Sequence, residues 1–184
     1  MLGALRTSVR TMVILVLGVA AAACVAPVRE LRPLPPTALA SAGMGEIGIT
    51  YQMPEPDPEL DRSLRSMLEL AARTCGAGPD KYKVDVRIDL FKRSDDATTT
   101  TFVGDRIQLA GQVRFISPQT NDVAADYYID QLRAARGLIG TLMLAKPEIT
   151  LARAFAGDIC SGILKRQPPP ELIQHPEGKR DTTR

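Results

Sequence analysis

Side chains able to do chemistry are scarce in this chain of 184 residues: cysteines at 24, 75 and 160, a single histidine and no tryptophan. Cys75 and Cys160 each stand beside an apolar stripe with helical spacing. Two outcomes fit that placement. Helices packed side by side would let the thiols bond, which in a chain-entropy picture adds roughly 4–5 kcal/mol for so long a loop, or both remain thiols buried in a core. Zinc does not fit, because neither cysteine has a Cys-x-x-Cys neighbour and His175 lies elsewhere. His175 falls in a proline-rich end, where nothing would orient a second group against it for proton transfer. Asp85, Arg87 and Asp89 alternate along one strand, and alternation puts them together on a solvated face rather than in an acid/base pair. Asp95 and Asp96 lack the glycine-centred spacing of a calcium loop. Gly137-Leu-Ile-Gly140 lacks the Lys-Ser/Thr of a phosphate cradle. These residues therefore predict no catalytic, cofactor or metal site, and a protein that is not an enzyme.

Two further features point outward. Leu138, Ile139, Leu142 and Met143 crowd more apolar surface into a short stretch than one helical stripe needs. Either this is a buried crossover, or part of it touches a partner protein, a lipid-like ligand or the membrane. The second feature is Cys24 and what precedes it. Arg6 and Arg10 lead into an uncharged, largely apolar run from Met12 to Ala23. As a helix that run would span about 18 Å, short of the roughly 30 Å hydrocarbon core, so it reads as a secretory signal rather than a retained span.

Ala21-Ala22-Ala23-Cys24 resembles the lipobox of bacterial lipoproteins, in which the cysteine becomes the lipidated N-terminus. The resemblance implies cleavage before Cys24 and acylation of its side chain and amine. Ala21 stands where that pattern prefers Leu, so a conventional peptidase acting on Ala-x-Ala is the alternative. Val25 occupies the position where Asp would imply retention in the inner membrane, so the resemblance implies the periplasmic face of the outer membrane. Several acyl chains would make attachment effectively permanent.

Composition agrees with an exported globular body. Hydrophobic residues make up 45% and charged residues 24%, and 23 Lys and Arg face 21 Asp and Glu. A balance so near neutrality gives no electrostatic footprint for nucleic acid. The organisation predicted along the chain is a signal peptide over 1–23, a lipidated cysteine with a proline-rich tether over 24–45, one domain over 46–166 and a disordered tail over 167–184. At about 3 Å per extended residue the tether would hold the domain tens of ångströms from the bilayer.

Within the domain, Ile47, Ile49 and Tyr51 alternate with polar or small residues and predict a strand. Asp57 and Pro58 then open a helix with Leu60, Leu64, Met67, Leu68, Ala71 and Cys75 on one face, which Gly76 stops. Val84 to Leu90, Ile107 to Phe115 and Val123 to Ile129 alternate as strands buried on one face, the last two joined by the Ser117–Asp122 turn. Leu132 to Ala145 is a short helix or a glycine-hinged loop. Pro147 opens a helix with Leu151, Phe155, Ile159 and Ile163 inward. The predicted fold is α+β: a two-layer sandwich whose mainly antiparallel four-stranded sheet carries two or three helices on one face.

The lipobox, the proline-rich segment, this element order, the Gly104-Asp-x-Ile107 entry into a long strand and the Pro118-centred hairpin resemble small YajG-like envelope lipoproteins. That resemblance implies a lipid-anchored periplasmic accessory protein, working through another envelope protein in assembly or transport. It supplies no catalytic residues to carry over. The runner-up is a carrier of a small apolar ligand or lipid in a cleft between sheet and helices, and an enzyme of unknown chemistry comes third.

Overall fold

A computed structural model describes residues 27–93, 106–134 and 146–173. Its elements are β1 (Val28–Arg32), α1 (Pro36–Ser41), β2 (Ala42–Tyr51), α2 (Pro58–Arg73), β3 (Asp80–Lys92), β4 (Arg106–Ile116), β5 (Val123–Ala134) and α3 (Pro147–Asp158). A π turn over Ile159–Ile163 and a 3-10 turn over Pro170–Leu172 follow. The strands form one sheet in the order β1-β5-β4-β3-β2. Every neighbouring pair is antiparallel except β2 and β3. The predicted α+β architecture is thus observed, with a fifth strand added.

That fifth strand lies in the segment read as a tether. Residues 28–45 are not a spacer: β1 pairs with β5, Val28 opposite Ile129 and Arg32 opposite Asp126. α1 follows, and β2 starts at Ala42 rather than near 46. The sequence hid β1 because only Val28 is even half-buried. An edge strand held by backbone pairing needs no apolar alternation, and prolines that would break a central strand are tolerated beside it. Tyr127 secures the turn that follows by accepting a hydrogen bond on its hydroxyl from the Leu34 N–H, at 2.9 Å.

β2 and β3 are parallel because α2 carries the chain back across the sheet before β3 begins, making a β-α-β unit that the short periods of the sequence do not announce. α2 starts as its residues dictate. Asp57 accepts hydrogen bonds from the N–H groups of Glu59 and Leu60 at 2.8 and 3.0 Å, and Pro58 takes the first helical position. Its inward residues Leu60, Leu64, Leu68 and Ala71 are fully buried.

α3 is buried nearly all round, and its Ala152, Ala154, Ala156 and Gly157 let neighbours approach closely on every side. Leu172 covers it, its carbonyl oxygen only 3.2 Å from where a Cβ on Gly157 would stand. The beginning of the tail, expected to be disordered from 167, is therefore part of the fold as far as Ile173, since burying Leu172 offsets the entropy of ordering it. Between sheet and helices the core is continuous. Phe115 sits at its centre, edge-on to Tyr82 and Tyr127 with ring centroids 6.1 and 6.2 Å away.

Candidate functional site

Cys75 and Cys160 are disulfide-bonded, with Cα atoms 5.5 Å apart. Cys75 follows the last turn of α2 and Cys160 lies in the π turn that prolongs α3, so the bond joins the C-terminal ends of two neighbouring helices. Arg166 reinforces this end. Its guanidinium donates to the Cys75 carbonyl at 2.6 Å and to the Ala40 carbonyl at 3.0 Å, tying α1 to the same point.

The opposite end of the helix pair is held by charge. Arg93, just beyond β3, pairs with the N-cap Asp57 of α2 at 2.9 Å and also with Glu148 in the first turn of α3. Both carboxylates sit where the helix dipoles favour negative charge, and one guanidinium serves both. Burial pushes the Asp57 carboxyl upward, but the N–H groups of Leu60 and Glu59 together with Arg93 outweigh it and leave the group below its ordinary value. Glu148 is one of the buried polar residues, 3% exposed.

A groove of about 340 Å³ opens where β1 meets the π turn, and its walls include Val28, Glu30, Asp158, Ser161 and Lys165. Gly162 is the contact that seats β1: a Cβ there would stand 2.5 Å from Cγ2 of Val28. Lys165 Nζ and Glu30 Oε1, 3.2 Å apart, close one side. Asp158 accepts a hydrogen bond from the Gln131 side chain. Desolvation by burial pushes the Asp158 carboxyl up to about 6, against the opposing effects of Gln131 and the Arg133 charge. Sequence reasoning missed this groove, because its residues come from the start of the described chain at β1 and from the end of α3 with the π turn that follows. The one local signal, a polar Asp158-Ile-Cys-Ser161 break in an apolar helix, reads as an ordinary helix end.

Asp85, Arg87 and Asp89 lie on the sheet face away from the helices, as alternation predicts. Asp85 pairs with Arg114 at 3.6 Å and Asp89 with Arg87 at 2.8 Å. Gln112 and Gln108 donate to Asp126 and Asp130 at 2.7 and 2.8 Å across β4 and β5, so this face satisfies itself as a polar lattice. Cys24, the segment with Leu138, Ile139, Leu142 and Met143, the aspartates 95 and 96, the glycines 137 and 140 and His175 all lie outside the described residues. Among the described residues no cluster of His, Cys, Asp and Glu could hold a metal ion. Nor is any helix there long and apolar enough to cross a membrane.

No model of a known protein family matches the chain, and no curated protein matches it. Solved structures do resemble it. A PelC dodecamer from Paraburkholderia phytofirmans aligns over 77% of this chain and 96% of its own, with 11% identity and a TM-score of 0.43. A protein from Caulobacter crescentus CB15 assigned as a lipoprotein covers 72% and 97%, with 13% identity and a TM-score of 0.38. A minor lipoprotein from Acinetobacter baumannii covers 62% and 93%, with 11% identity and a TM-score of 0.34. The likeness is one of chain path, at identities too low to transfer a residue's role.

Proposed function

We propose that this protein is a lipid-anchored domain on the periplasmic face of the bacterial outer membrane that binds another envelope protein in assembly or transport, and that it is not an enzyme. The observation that carries the reading is how soon the fold begins after Cys24. The Asp130 N–H already donates to the Pro27 carbonyl at 2.8 Å, and β1 starts at Val28. Four residues reach at most about 14 Å. Acyl chains on Cys24 would therefore hold the β1 edge of the sheet against the bilayer surface, not tens of ångströms away as a long tether would. Such a domain works on what lies at the membrane and presents a fixed side to it. Its outward surfaces are the polar lattice of the sheet face and the sheet edges, which suit contact with a protein rather than enclosure of a small molecule.

The carrier reading finds no support in the described residues. Space between sheet and helices is filled by Leu64, Leu68, Ile88, Val113, Phe115 and Phe155, all fully buried. The groove beside β1 lies at the sheet edge and is walled in part by Glu30, Asp158 and Lys165.

Intact-mass measurement on the protein extracted from membranes tests the anchor. Residues 1–23 should be gone and Cys24 should carry the mass of its acyl groups, whereas an unmodified exported chain starting at Val25 or nearby overturns the reading. Cys24→Ser should shift the domain from the membrane to the soluble periplasmic fraction. Photo-crosslinkers placed on the sheet face, at Tyr128 for example, should then capture one recurrent envelope protein in native membranes, and lose it in the Cys24→Ser chain.

A further inference from the structure

Among the described residues the two edges of the sheet are guarded unequally, and the one left open is the second half of β2. Its first half is sealed by the chain after α2: the Met44 N–H donates to the Gly76 carbonyl at 2.8 Å, and Gly43 bridges Ala77. The register with β3 then shifts between Met44 and Ile47, and this bulge turns the rest of the strand over. The Gln52 N–H donates inward to the Ile88 carbonyl at 2.8 Å. Counting back by twos, Thr50 and Gly48 also point their peptide groups at β3, so Ile47, Ile49 and Tyr51 point theirs outward. Among the described residues nothing pairs with those outward groups. No proline or lysine lies between Gly45 and Tyr51 to discourage pairing, and Glu46 is the one charge there.

We propose that this edge pairs with β2 of a second copy of the same chain, antiparallel about a two-fold axis at Ile49, joining two five-stranded sheets into one. The occupant follows from the spacing. In that register Ile49 meets itself and Ile47 meets Tyr51 of the second copy, so every outward peptide group exchanges its hydrogen bonds with another outward group. Both pairings are apolar, one of them aromatic against β-branched. Between them Gly48 faces Thr50 at the narrow, non-hydrogen-bonded position, where strands approach most closely and a small residue makes room. An isologous contact brings each charge near its own copy, yet here Glu46 meets Gln52, so no like charges are opposed. The pairing stands apart from the envelope-partner reading and holds whether or not that reading does.

The test uses the full chain purified in detergent, with cysteines placed by register. Facing residues at a hydrogen-bonded pair have Cα atoms about 5.5 Å apart, within disulfide range. Under oxidised glutathione Ile49→Cys should link to itself. Ile47→Cys should link efficiently only when mixed with Tyr51→Cys, and Thr50→Cys should link no more than wild type, which serves as the blank for Cys24. Ile49→Pro removes an outward N–H that β3 does not use, and should weaken self-association at least about tenfold in sedimentation while the circular dichroism is unchanged. A wild type that stays monomeric at the highest concentration reached, or Thr50→Cys linking as well as Ile49→Cys, overturns the proposal. Should the proline variant not fold, the cysteine series decides alone. None of these readouts depends on acylation of Cys24, so failure of the anchor and failure of the pairing are told apart.

Discussion

The two ends of the α2 and α3 pair are fastened by different physics. At the C-terminal end a covalent bond between buried cysteines and the Arg166 guanidinium join the two helices. At the N-terminal end one half-exposed arginine bridges two carboxylates. A covalent tie acts mainly by restricting the unfolded chain and is indifferent to salt and mild pH, whereas an ionic tie weakens with both. The domain is thus locked at the C-terminal ends of the helix pair and adjustable at its N-terminal ends.

The largest effect should come from breaking the covalent end. Cys75→Ala and Cys160→Ala should each cost about 4 kcal/mol by the chain-entropy account, and the double variant should cost little more than either single one. Reducing the wild type should lower its Tm by a similar margin in calorimetry. A Tm unmoved by reductant would remove the contrast between the two ends.

Arg93→Met should come next, at about 2–3 kcal/mol in low salt, because it leaves Glu148 charged and buried without its partner. Adding Glu148→Gln should recover part of the loss, and the wild type should approach the variant as salt rises. Urea titrations of the two single variants, the pair and the wild type measure that coupling.

Gly162→Ala should cost about 1–2 kcal/mol by pushing Val28 away, and the damage should be local. Hydrogen exchange should quicken in β1 while the β3 and β4 amides stay protected. Val28→Ala in the same chain should restore β1, since it removes the methyl that the new Cβ meets.

The smallest effect sharpens the comparison by pH. Asp158 has its folded pKa raised to about 6 by burial, above the ordinary 3.8. Between these values the folded state holds more protons than the unfolded, so this group's contribution is full below about pH 4 and is lost as pH rises through 6. Asp158→Asn should therefore match the wild type near pH 4 and exceed it by roughly 1 kcal/mol at pH 7.5, the gain being reduced by partial solvent exposure. Asp57, held below its ordinary value, has the opposite sign and weakens the N-terminal end on acidification.

Much of the core was legible in the sequence, because its evidence is local. The alternation in Val84–Leu90 and Ile107–Phe115 and the stripe from Leu60 to Cys75 each declare their own burial, and Asp57-Pro58 declares its cap. β1 was not legible, since Arg29, Glu30, Leu31 and Arg32 are exposed and their order comes from backbone pairing with β5. Nor was Leu172, a lone apolar residue among prolines whose place depends on the bare surface of Gly157.

By itself, then, the sequence determined the strands and helices that bury a periodic face, the cap of α2 and the turn between β4 and β5, all of which rest on neighbours in the chain. It brought Cys75 and Cys160 to inward stripes and made them a candidate disulfide, with two buried thiols as the alternative. Only the tertiary structure decided that they join, that Arg93 serves both helix N-termini, that Asp158 is partly desolvated, and that β1 and β2 form the edges. Each of those depends on distances between residues far apart in sequence, set by how the sheet twists and the helices pack, which no local pattern encodes.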